Sequence, residues 1–80
     1  MEIIYSAHAL EKMKERKITK ELIENSISNP DSRIDSRFGR LIIHKIIKDK
    51  LLRIVIKKEI DVFMVITAYY TRPERYGEET

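Results

Sequence analysis

Leu41-Ile42-Ile43-His44-Lys45-Ile46-Ile47, Leu51-Leu52-Arg53-Ile54-Val55-Ile56-Lys57 and Val62-Phe63-Met64-Val65-Ile66-Thr67-Ala68-Tyr69-Tyr70 follow one another with only short polar pieces between them. Ile and Val dominate all three, and β-branched side chains fit the pleated surface of a strand better than the crowded turn of a helix. Three such runs joined by short turns predict an antiparallel meander. Ser32 to Arg37, more polar, reads as a further strand leading into a turn at Gly39.

Which side chains share a face of that meander depends on the turns, since a one-residue change of register reverses every side chain. A three-residue loop Lys48-Asp49-Lys50 sets Ile47 opposite Leu51 and Lys45 opposite Arg53, two like charges that disfavour the sheet unless an anion lies between them. A loop of Asp49-Lys50 alone sets Lys45 opposite Ile54. The first is preferred, because it gathers Leu52, Ile54 and Ile56 with Ile42 and Ile46 on one face against the helices. Whether Thr67 and Tyr69 share the face of Arg53 stays open.

Upstream, Glu2 to Tyr5 is a short β-prone piece, and Ser6 is suited to cap a helix running to about Lys17. At the helical repeat, Ala9, Leu10 and Met13 fall on one side with Ser6, while His8, Glu11 and Glu15 fall on the other. Ile18 reads as a buried connector. Thr19 caps a second helix whose core face is Leu22, Ile23 and Ile27, and Asn29-Pro30-Asp31 ends it. The expected fold is therefore α+β: a short N-terminal strand, two helices, then a three- to four-stranded antiparallel meander packed on the helices. Residues 1–80 make one domain, with an irregular polar tail over 71–80.

Eighty residues suffice for one domain and not two; a chain of this length buries only roughly 60–65% of its unfolded surface. There is no cysteine to supplement the core with a disulfide or a thiolate metal site, which suits a reducing cytoplasm. The longest apolar run, Val62 to Tyr70, is far short of the ~20 residues of a membrane-spanning helix. The opening Met-Glu-Ile-Ile-Tyr lacks the cationic start of a secretory signal. A cytoplasmic protein with no membrane partner is expected.

The net charge of +3 is unevenly spread: Met1 to Asp31 carries −1, Ser32 to Lys58 carries +7 and Glu59 to Thr80 carries −3. A cationic block on a sheet suits a polyanion such as RNA, because each phosphate contact releases counterions. The alternative is a solvated strand surface whose Lys and Arg guard its edges. The concentration of the charge favours the first.

Ser6-Ala7-His8-Ala9, then Met13, Arg16 and Ile18, with Pro30 and Val65-Ile66-Thr67-Ala68-Tyr69, resembles the family called domain of unknown function 4258, over nearly the whole chain. That family resembles in turn the compact ribonuclease-type toxins, RelE-like and BrnT-like, and the resemblance implies RNA cleavage or RNA binding. One departure is Lys17, where the family commonly has glycine; a left-handed turn there costs a side chain energy that glycine does not incur. Arg72, Arg75 and Tyr76 resemble the Arg and Tyr residues that RelE-like toxins carry near their C-termini.

Metal-free RNA cleavage needs an acceptor for the 2′-hydroxyl proton, cations for the phosphate and a donor for the leaving oxygen. His8 fits the first role, since the helix N-terminus favours its neutral form; the alternative is a solvated or capping residue. Arg53, with Lys45 or Arg72, fits the second, and Thr67 or a tyrosine the third. Arg33, Arg37, Arg40, Lys45, Arg72, Arg75 and Tyr76 form the expected RNA-binding set, with Tyr69, Tyr70 and Tyr76 as stacking candidates. His44, among isoleucines, reads as a hydrogen-bonded core or edge histidine, and Arg16 as a structural tie. The histidines and carboxylates show no metal-ligand spacing, and a Gly-rich phosphate loop is lacking. No cofactor is expected. The partners expected are RNA and a small antitoxin-like protein, with homodimerisation left open; the competing reading is a non-catalytic domain binding RNA or protein.

Overall fold

The fold comes from a computed structural model that describes residues 2–36 and 38–73. In chain order these form β1 (Glu2–Tyr5), α1 (Ala7–Arg16), α2 (Lys20–Ser28), β2 (Ser32–Asp35), β3 (Arg40–Ile47), β4 (Lys50–Glu59) and β5 (Val62–Thr71). The strands make one sheet in the order β1-β5-β4-β3-β2. The N-terminal strand, the two helices and the α+β class are as expected from the sequence. The sheet is larger, however: β2 to β5 pair antiparallel, and β1 adds a fifth strand parallel to β5. Parallel strands cannot be joined by a tight hairpin, and here both helices and β2, β3 and β4 lie in the chain between β1 and β5.

Local signals account for the helices. Ser6 keeps an extended backbone and its hydroxyl accepts the Ala9 amide at 3.0 Å; Thr19 does the same for Leu22 at 3.1 Å. α1 ends at Lys17, which adopts φ 57, and the Ile18 amide closes the turn onto the Met13 carbonyl at 2.8 Å. α2 lies over β3 and α1 over β5, so Ala9, Met13, Ile18 and Ile23 meet one face of the sheet. That face supplies Leu41, Ile43, Leu52, Ile54, Ile56, Phe63, Val65 and Ala68 to the core. Among the described residues no helix is long and apolar enough to cross a membrane.

Both registers considered for the first hairpin are overturned. The turn is Lys48-Asp49, with Ile47 opposite Lys50, Lys45 opposite Leu52 and His44 opposite Arg53. Lys48 takes φ 60, a conformation that hairpin turns usually give to Gly or Asn, so composition pointed to the wrong turn residues. This register puts Leu41 and Ile43, not Ile42 and Ile46, beside Leu52, Ile54 and Ile56. It also sends Lys45 and Arg53 to opposite faces, which removes their repulsion. In the second hairpin a β-bulge intervenes: Ile56 pairs with Val65 and Val55 with Thr67, leaving Ile66 as the extra residue. The bulge shifts the phase of β5, so Phe63 and Val65 before it, and Ala68 and Tyr70 after it, all turn to the helices. Thr67 and Tyr69 thereby join the face of Arg53.

Candidate nucleic-acid interface

The face turned away from the helices has an apolar part and a polar part. Ile4, Ile42, Val55 and Met64, all half-buried, make the first. The second is one row across three strands: His44 on β3, Arg53 directly opposite on β4, and Tyr69 opposite Arg53 on β5. Thr67 lies diagonally beyond, opposite Val55. Opposed residues in adjacent strands are in side-chain contact distance, so the row is a continuous strip of hydrogen-bonding groups.

A guanidinium Nη1 of Arg53 donates to Nε2 of His44 at 3.0 Å. Guanidinium has no lone pair to offer, so His44 must be the acceptor, neutral, with its proton on Nδ1. Burial, and then the charge of Arg53, pushes the His44 imidazole below its ordinary pKa; its side chain is placed on the far face with only 7% of the residue exposed. The backbone here is pinned as well. The Asp31 amide donates to the His44 carbonyl at 2.9 Å, and the Ile46 amide donates to the Asp31 carboxylate at 2.7 Å.

Of the three residues expected to carry catalysis, the structure brings Arg53 and Thr67 onto one face. His8 is exposed on α1, the helix that packs over β5 on the other face. The start of α1 is held at the β5 edge, because the Ser6 amide donates to Val65 O at 3.0 Å and its hydroxyl to Ile66 O at 3.3 Å. Arg16 is a tie between elements, donating to the Ala68 carbonyl at 2.9 Å.

The cations, contiguous in sequence, are dispersed by the fold. Arg40 and Arg53 lie on the far face. Arg33 and Lys45 fall on the helix side, where Arg33 is 3.8 Å from Asp35, and Lys45 donates to the Asn29 carbonyl at 2.8 Å and stands 4.0 Å from Asp31. Lys58 pairs with Asp35 at 2.7 Å and Lys57 with Glu59 at 3.4 Å. Arg72 is exposed just past β5. Arg37, Arg75 and Tyr76 lie outside the described residues. The Asp35 carboxyl, hydrogen-bonded to Lys58, is held below its ordinary range. Among the described residues no three His, Cys, Asp or Glu side chains gather as a metal site would require.

Residues 5–70 match the family model described as Domain of unknown function (DUF4258). The chain belongs to the DUF4258 family. The DUF4258 match takes in His8, Arg16, His44, Arg53, Thr67 and Tyr69, and stops short of Arg72, Arg75 and Tyr76. No curated protein and no solved structure matches the chain. Within this DUF4258 domain, Tyr69 was among the stacking candidates of the sequence, whereas the pairing of His44 with Arg53 was not foreseen. The signal was present as a strand register, since only the Lys48-Asp49 turn sets His44 opposite Arg53.

Proposed function

We propose that this DUF4258 chain is a small ribonuclease-toxin-like protein of the cytoplasm that binds single-stranded RNA on the far face of its sheet and cleaves it without a metal. The row His44–Arg53–Tyr69 carries the reading: a guanidinium held by a neutral imidazole, with an aromatic ring on its other side. Arg53 takes a backbone phosphate, Tyr69 stacks on an unpaired base, and Thr67 lies near enough in the sheet to donate to a leaving oxygen. His8, from the first turn of α1 at the β5 edge, is the candidate acceptor for the 2′-hydroxyl proton. A small antitoxin-like protein is the partner this reading calls for, and the apolar part of the same face is where it would sit.

The test is an induction assay that follows growth and RNA integrity together, with RNA cleavage measured on the purified protein. Arg53→Gln is expected to lower cleavage by about 10²–10³-fold, the scale of one lost transition-state donor. A specific observation favours a second reading, a domain that binds RNA or protein without chemistry: His8 stands on a helix packed against the face opposite to Arg53. Intact RNA alongside Arg53-dependent binding selects that second reading; neither cleavage nor binding removes both.

A further inference from the structure

We propose that the chain's own residues 74–80 occupy one end of the far sheet face, the end that carries Arg53, and that RNA must displace them to bind there. The regulatory half of this inference rests on the reading above; the covering does not. Burial on the far face is uneven. Ile4, Ile42, Val55 and Met64, at one end, are half-buried, as side chains are that have neighbours in the sheet and nothing above it. At the other end Leu51 is 5% exposed, His44 is as deeply buried, and so is Nε of Arg53. Strand alternation sets Leu51 on the far face with Arg53, since Leu52 and Ile54 enter the core on the helix side. Both helices pack on that opposite side, so among the described residues neither helix accounts for this burial. His44, Arg53 and Tyr69 each have a further interaction besides the contact between Arg53 and His44. Leu51 stands between Ile46 on β3, 52% exposed, and Thr71 on β5, half-buried, which puts the cover on the β5 side.

The sequence supplies an occupant at that place. β5 ends at Thr71, opposite Leu51, and the chain continues past Pro73 as Glu74-Arg75-Tyr76-Gly77-Glu78-Glu79-Thr80. Pro73 is half-buried although Arg72 is exposed, so the chain leaves the strand along the molecule rather than away from it. A segment of this length extends over roughly 20 Å, whereas the two strand spacings from β5 to β3 take about 10 Å. Glu74, Glu78 and Glu79 against Arg75 give the segment a charge of −2. The far face opposes it with Arg40 and Arg53, so electrostatics draws the segment onto this face. Tyr76 brings the apolar area that would cover Leu51.

Nuclear Overhauser spectra of the unaltered chain test the covering. Cross-peaks are expected between protons of residues 74–80 and the Leu51 methyls or the His44 ring, and not with the Ile23 methyls of the helix side. Cross-peaks to Ile23 instead, or none to Leu51 and His44, overturn the inference. Binding of a single-stranded RNA oligonucleotide tests the regulation, in a chain carrying Glu74→Gln, Glu78→Gln and Glu79→Gln together. A face covered about nine-tenths of the time binds about tenfold tighter once freed, and a gain of that order is expected. Glu11→Gln, Glu15→Gln and Glu21→Gln together make the same change of charge on the helices and are expected to give far less. Equal gains from the two sets overturn the regulatory role, because net charge alone would then explain them. The two readings fail separately. Cross-peaks to Leu51 with no RNA binding by any variant keep the covering and remove the RNA reading; Arg53-dependent RNA binding without those cross-peaks does the reverse.

Discussion

Lys17 holds φ 57 at the end of α1, where its β-carbon crowds the backbone in a way glycine avoids. Lys17→Gly is therefore expected to stabilise the fold by about 0.5–1 kcal/mol, read as a higher urea midpoint at unchanged slope. No change would mean that the flexibility glycine adds to the unfolded chain cancels the relief. The other residue with a measurable cost is His44. Its folded pKa lies below the ordinary 6.5, through burial first and Arg53 second. Between those two values the unfolded chain holds more protons than the folded one, so stability falls as the pH falls and is fully regained above the unfolded value. Melting temperatures of wild type and His44→Gln are expected to diverge on acidification, the wild type losing more; parallel curves would remove His44 as the cause. Residue identities made the caps at Ser6 and Thr19 and the stop at Pro30 legible, because each acts within one helical turn. His44 was read as a hydrogen-bonded core or edge histidine and is buried and hydrogen-bonded, but its partner Arg53 was not legible because it lies across the strand.

At the scale of elements, the sheet was readable in outline and its faces were not. Three β-rich runs announce three strands whatever their turns. The face of each side chain, however, hangs on Lys48 and Asp61 adopting φ 60 and φ 59, which their side chains do not advertise, and on the extra residue Ile66. The same lesson applies to charge. The +7 block reads as one surface only until the pleat divides it. Arg40→Gln, on the far face, is expected to flatten the dependence of log RNA affinity on log salt by about 0.7, one phosphate contact. Arg33→Gln and Lys45→Gln, on the helix side, are expected to leave the slope unchanged. Equal effects from both faces would show that RNA is not confined to the far one.

Across the whole molecule, one sheet separates two tasks: the helix side stores the core, and the far side carries the polar row. The chain reaches this with its first strand against its last, since Glu2 pairs with Val62 and Tyr5 with Val65. That pairing has a consequence for the order in which the protein assembles. The hairpins of β3, β4 and β5 close over short distances, whereas β1 must wait for both helices and three further strands to be made before its partner exists. Ile3→Ala, which trims a β1 side chain packed against the core, is accordingly expected to cost about 2 kcal/mol and to speed unfolding while leaving the refolding limb of a chevron almost unmoved. Ile54→Val, in the middle of β4, is expected to slow refolding instead. If Ile3→Ala slowed refolding as much as its stability loss allows, β1 would belong to the nucleus. If it does not, β1 is the latch that closes last, and on the ribosome the outer edge of β5 goes uncovered until a strand made before both helices returns to it.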